Sequence, residues 1–243
     1  MRSTPLVLTA LFVCVAAPAL GQCVAPYAHA GDSAAVKAPF EDEIEAFEAS
    51  DKVDPPRSGG VVFVGSSSIR LWPNLAADFA EANVIQRGFG GSELWQVVKY
   101  APRIVLPYCP ERVVLYAGDN DIAAGRSPEQ VLADYRDFVT LVHRALPKTR
   151  IAFVSIKPSG SRWTLIDKIR RANELVREYS SSDPLLTYVD VFDPMLGSSG
   201  TPNGGLFAAD SLHLSTSGYA LWRELLAPFV YGSPRGPYLE GNH

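Results

Sequence analysis

From Val61 onward the chain alternates short apolar runs with polar turns that carry glycine or proline. Val61-Val62-Phe63-Val64 ends at Gly65, Asn83 to Gln86 ends by Gly88, and Arg112 to Tyr116 ends by Gly118. Arg150 to Ile156 stops at Pro158, and Leu186 to Val191 completes the series. Near-continuous apolar runs of this length predict strands buried on both faces, as in a parallel sheet. Helical spacing fills the intervals. Ser127 is placed as an N-cap, with Pro128 at the first helical position and Gln130 three after the cap. Val131, Leu132, Tyr135, Phe138, Val139 and Val142 follow on one face, and Leu165, Ile166, Ile169, Ala172, Leu175 and Val176 repeat the pattern. A last helix is expected from about Ser217 to Leu226, stopped by Pro228. Strands alternating with helices predict an α/β fold, a three-layer α/β/α sandwich around a parallel sheet of about five strands.

The chain outside that rhythm divides into three parts. Residues 1–22 carry Arg2, the apolar stretch from Leu6 to Ala17, and the small residues Ala17, Ala19 and Gly21. This is the pattern of a secretory signal peptide, too short for a membrane span, and it predicts a secreted or periplasmic protein. Residues 23–58 read as a lead-in, with a short helix over Glu41 to Ala49 ended by Pro55-Pro56 and Gly59-Gly60. Residues 59–231 form the domain, and the Gly- and Pro-rich residues 232–243 are expected to be a loose tail. After cleavage two cysteines remain, Cys23 and Cys109. They allow a disulfide or two free thiols, and Cys23, just past the cleavage site, also allows a lipid anchor.

With 243 residues and 47% hydrophobic content the chain can bury a large single core. Its formal net charge of −4 shows no basic surface, which argues against a nucleic-acid partner.

Candidate chemistry sits in four segments, three of them just after strands. Gly65-Ser66-Ser67-Ser68 offers a hydroxyl nucleophile, although a serine run after a strand also serves to cap a helix. Gly90-Gly91 can offer a backbone N–H where no side chain blocks a substrate, or form a plain strand-to-helix turn. In Gly118-Asp119-Asn120-Asp121, Asn120 carries an uncharged amide that suits an oxyanion, or an Asx-turn. A calcium loop fails here, since Ala124 and Gln130 stand where Gly and Glu are required. In Asp210-Ser211-Leu212-His213, an aspartate three residues before a histidine can orient the imidazole and support it as a base. Trp72, Trp95 and Tyr219 are candidates for a pocket wall, Trp163 and Trp222 for the core, and Arg162 for a place near the site. The nucleophile elbow G-x-S-x-G does not fit, because Ile69 holds its last position. Zinc and dinucleotide patterns are missing as well.

Taken together these segments resemble the SGNH hydrolases, the GDSL-type esterase/lipase superfamily. The resemblance covers roughly residues 61–230 and places Ser67, Gly91, Asn120 and His213 in the family's four blocks, in order. One position departs: Ser66 stands where the first block usually has Asp. The resemblance implies a flavodoxin-like fold and hydrolysis of esters or thioesters. Ser67 would attack, with His213 as base and Asp210 as its partner. The Ser67 and Gly91 backbone N–H groups and the Asn120 side chain would hold the oxyanion. It implies no metal and no cofactor.

The expected activity is that of a serine esterase acting on short acyl esters, acetyl groups on carbohydrate among them. Its partners would be small-molecule or glycan acyl esters, with no nucleic acid and no stable membrane span. The alternatives are a lysophospholipase or thioesterase of longer acyl preference, an acyltransferase, and a non-catalytic glycan-binding protein on the same fold.

Overall fold

The computed structural model describes residues 38–232. The signal-peptide stretch, Cys23 and the tail from 233 onward lie outside the described residues. Five strands form one all-parallel sheet: β1 (Val61–Gly65), β2 (Val84–Gly88), β3 (Arg112–Tyr116), β4 (Arg150–Val154) and β5 (Leu186–Val189). Their order is β2-β1-β3-β4-β5, the flavodoxin-like arrangement. Strand β5 is shorter than its apolar run. Beyond Val189 the backbone leaves the sheet, and the Ser155 hydroxyl accepts from the Val191 and Phe192 N–H groups at 2.9 and 3.0 Å.

The period-two alternation of the strands sorts side chains into two cores. Val62 and Val64 of β1 join one core with Val113, Leu115, Ile151 and Phe153. Helices α1 (Glu41–Val53), α4 (Leu94–Ile104), α6 (Pro128–Ala145) and α7 (Ile166–Ser181) cover it, through residues such as Ile44, Val97, Phe138 and Val176. Val61 and Phe63 enter the other core with Val114, Tyr116, Ala152 and Val154. That face is closed by the one-turn helices α2 (Ser67–Arg70) and α3 (Leu75–Asp78) and by α8 (Thr216–Val230). A short helix α5 (Asp119–Ala123) follows β3. The result is the three-layer sandwich.

Helix α6 carries its capping box as expected: the Ser127 hydroxyl accepts from Gln130 N–H at 3.2 Å, and the Gln130 side chain accepts from Ser127 N–H at 2.8 Å. Helix α8 differs from expectation by running through Pro228. A proline that late in a helix forfeits one backbone bond, while the buried Leu226 and Val230 on either side keep the last turn on the core. Helix α4, with Pro102 inside it, lacks any start signal of the Ser/Thr type. Its cap is Glu93, paired with Gln96.

Gly65 sits at φ +139, and a Cβ there would stand 1.9 Å from the Tyr116 carbonyl oxygen. Only glycine lets β1 lie that close to β3 at the sheet's carboxyl edge. Beneath that edge, Phe63 is fully buried against Trp72 and Phe79 at centroid distances of 6.0 and 5.4 Å. Phe63→Ala is expected to lower unfolding stability by about 3–5 kcal/mol, read by urea denaturation, through lost burial and the cavity it leaves.

Candidate active site

Three strand ends meet in register. Gly65 of β1 aligns with Gly88 of β2 and with Tyr116 of β3. Phe89 N–H donates to the Gly65 carbonyl at 3.0 Å, and Ser66 N–H to that of Tyr116 at 3.0 Å. This brings the segments after β1, β2 and β3 to one edge of the sheet.

At that edge the three serines are no longer equivalent. Ser66 and Ser68 are buried, while Ser67 opens α2 and is partly exposed. The Ser67 hydroxyl lies 3.1 Å from His213 Nε2. His213 Nδ1 in turn lies 2.5 Å from Asp210 Oδ2. The second oxygen, Asp210 Oδ1, accepts from the Leu212 and His213 N–H groups at 3.0 and 2.9 Å. The bond with His213, and then these two N–H groups, hold the Asp210 carboxyl well below the usual carboxylate range. It therefore stays ionised as pH falls through that range. Ser211, between acid and base, adopts φ +56, a left-handed conformation unusual for a side chain with a Cβ. The segment after β4 holds it there. Ser161 N–H donates to the Ser211 carbonyl at 3.1 Å, and a Cβ on Gly160 would come within 3.2 Å of Ser211 Cβ.

Gly91 and Asn120 face each other. A Cβ built on Gly91 would stand 3.7 Å from Asn120 Nδ2, in ordinary contact, so the bare glycine leaves that space open. Asn120, in the first turn of α5, donates to the Ser92 carbonyl at 3.2 Å. Among the described residues the Gly91 N–H has no protein acceptor. The Ser67 N–H, at the first helical position, has no intrahelical one. Such donors can hold a developing oxyanion.

The two aspartates flanking Asn120 were read in the sequence only as a failed metal loop, and the structure gives each a bond. Asp121, fully buried, accepts from Leu94 N–H with both oxygens, at 2.9 and 3.1 Å. It thereby ties the Asn120 segment to the start of α4, just beyond Gly90-Gly91. Burial pushes its pKa from 3.8 to about 6. Asp119 accepts from Lys157 Nζ at 2.7 Å, and Lys157 also donates to the Tyr116 hydroxyl at 2.9 Å. Burial alone would lower the Lys157 pKa, but Asp119 and Tyr116 raise it, so the ammonium stays charged inside the protein. Burial pushes Tyr116 to about 12. Arg162 Nε stands 3.7 Å from the other oxygen of Asp119. The available sequence signal was Lys157 itself, a cation directly after the apolar run that ends at Ile156.

The aromatic candidates separate. Trp72 and Tyr219 are core residues rather than pocket walls: their rings stack at 5.0 Å, and the Tyr219 hydroxyl donates to the Ser68 carbonyl at 3.0 Å. Burial of the large rings against the back of α2 outweighs the nearness of Trp72 in sequence to the first block. Trp222 is buried as expected, Trp163 is half-buried, and Trp95 is exposed. Two clefts, of about 520 and 500 Å³, lie elsewhere, one lined by residues such as Arg57 and Asn83, the other by residues such as Arg170 and Tyr188.

Residues 60–221 match the GDSL-like Lipase/Acylhydrolase family. The chain belongs to that family. The acylhydrolase is 30% identical over 168 residues to the platelet-activating factor acetylhydrolase IB subunit alpha1 of Bos taurus, covering 65% of this chain and 69% of that one. Among solved structures, a protein from Streptococcus pneumonia superposes with a TM-score of 0.70 at 21% identity, covering 79% of this chain and 92% of its own. A GDSL-like lipase from Bacteroides thetaiotaomicron gives 0.66 at 19% identity, covering 79% and 98%. At these identities the two structures establish the fold alone.

The raised pKa of Asp121 sets a pH dependence. The folded acylhydrolase binds the Asp121 proton more tightly than the unfolded chain, so ionising it costs stability as pH rises from about 4 to about 6. Relative to Asp121→Asn, which cannot ionise, the wild type is expected to lose up to about 3 kcal/mol across that window, measured by chemical denaturation at each pH.

Proposed function

We propose that this acylhydrolase is a secreted serine esterase that cleaves short acyl esters, acetyl esters among them, through an acyl-enzyme on Ser67. The observation that carries the proposal is the unbroken hydrogen-bonded chain Ser67–His213–Asp210, formed by residues 146 positions apart at one edge of the sheet. In this reading Ser67 Oγ attacks the ester carbonyl carbon as His213 Nε2 takes its proton. The carbonyl oxygen becomes an oxyanion held by the Ser67 and Gly91 N–H groups and by Asn120. Asp210 keeps the imidazole in the right tautomer and offsets its positive charge. The C–O bond breaks and the alcohol leaves with the proton from His213. Water, deprotonated by the same imidazole, then attacks the acyl-enzyme. Its collapse releases the carboxylic acid and restores Ser67.

The acetyl preference draws on the relative named an acetylhydrolase. The His213 and Asp210 side chains are 28% and 49% exposed, which leaves room for a bulky alcohol such as a glycan hydroxyl. Export draws on the apolar leader and on Cys109, which is disulfide-bonded, as suits an oxidising compartment.

Ser67→Ala is expected to cut hydrolysis of p-nitrophenyl acetate by at least about 10³-fold with the melting temperature retained. Full activity in that variant overturns the reading. Asn120→Ala should lower kcat by about 10²–10³-fold, as loss of one oxyanion donor does. A p-nitrophenyl ester series from acetate to palmitate should show the highest kcat/KM at the short end. A maximum at the long end would instead identify a lysophospholipase or thioesterase.

A further inference from the structure

Helix α1 precedes the residues that match the family, yet it reaches the active edge. Its surroundings show how it is held. Only Ile44 among its residues is fully buried, so apolar burial alone fixes it weakly. Charged contacts supply the rest. Arg103 of α4 pairs with Glu41 and, through two nitrogens at 2.7 Å, with Glu48. Arg87 of β2 donates to Asp51 at 2.5 Å and lies 5.0 Å from the Phe47 ring, while the Tyr108 hydroxyl donates to the other Asp51 oxygen. The Tyr100 hydroxyl donates to the Pro39 carbonyl at 2.7 Å.

The first turn of this strapped helix closes on Gly90. The Glu43 carboxylate accepts from Gly90 N–H at 2.9 Å. Three residues earlier, at the N-cap of α1, the Phe40 ring packs edge-on against Phe89 at 5.4 Å and fills the place a Gly90 side chain would need, 2.0 Å from a built Cβ. Gly90 itself adopts φ +38. The same Glu43 oxygen lies 4.0 Å from Arg70 Nε, on the helix that Ser67 begins.

We infer that Glu43 is a positioning residue for the oxyanion site: it fixes the left-handed turn at Gly90 and so aims the next N–H, that of Gly91, at the substrate oxygen. The inference rests on the oxyanion role proposed for Gly91. Binding Gly90 N–H to a carboxylate ties down the peptide plane that enters the turn. Among the described residues the Gly91 N–H is left without an acceptor. A donor displaced by about an ångström can lose on the order of 10²-fold in rate, so the clamp acts on turnover more than on binding.

The test compares wild type, Glu43→Ala and Glu43→Gln, with Ser67→Ala as the inactive control. Glu43→Ala should lower kcat for p-nitrophenyl acetate by about 10- to 100-fold, with KM within about twofold and the melting temperature nearly unchanged. Glu43→Gln, whose amide oxygen still accepts from Gly90, should recover most of the loss. Hydrogen exchange at the Gly90 amide should accelerate in Glu43→Ala and not in Glu43→Gln. Wild-type kcat in Glu43→Ala, or unchanged Gly90 exchange, overturns the inference. So does a loss of kcat matched by a loss of fold and not rescued by glutamine. An inactive wild type would count against the esterase reading instead, while the exchange rates would still report on the clamp.

Discussion

The close approach of β1 to β3 at Gly65 is the constraint on which the site depends. With no Cβ between them, the Tyr116 carbonyl can take the Ser66 N–H, and the chain turns directly from the strand end into α2. That turn exposes Ser67 while burying the serines on either side. The same register carries β2 alongside, so the glycine pair after it arrives beside Asn120. A side chain at position 65 would separate these strand ends and, with them, three of the proposed oxyanion and nucleophile groups.

Much of this was legible in the sequence, for physical reasons. Strands buried on both faces must be apolar throughout, so all five runs fall within two residues of the observed strands at both ends. The last two runs each extend two residues past their strands; at the fifth, Val191 is as apolar as its predecessors while its N–H bonds to the Ser155 hydroxyl instead of a strand. Helix α6 was readable from Ser127 to Gln130 because its cap is a local interaction. Helix α4 was not, since its local cap is Glu93 with Gln96 rather than a Ser or Thr, and its N-terminus is also bound by Asp121, 27 residues further on. The end of α8 was misplaced because tertiary burial of Val230 outweighs the missing N–H of Pro228.

The site divides in the same way. Ser67, His213 and Asp210 were singled out by order and spacing, and the structure brings them into one hydrogen-bonded chain. The residues that support them were largely hidden. Asp121, Lys157 and Glu43 act through partners 27 to 47 positions away, and no local pattern announces such pairs. The sequence did show charges in unusual places: two aspartates around an asparagine and a lysine directly after an apolar run. Trp72 and Tyr219 misled because nearness along the chain says nothing about which side of α2 a ring packs on.

The Lys157–Asp119 pair has a consequence for how this protein can vary. Its two charges lie almost wholly out of water, joined at 2.7 Å. Removing either partner strands the other, at about 3–5 kcal/mol, whereas exchanging both for well-packed apolar residues can be nearly neutral. The two end states are therefore separated by single-substitution intermediates close to the limit of a domain's stability. Lineages crossing that valley must change both positions together or acquire stability elsewhere first. The pair behaves as one inherited character, and its aspartate stands one residue before the amide assigned to the oxyanion.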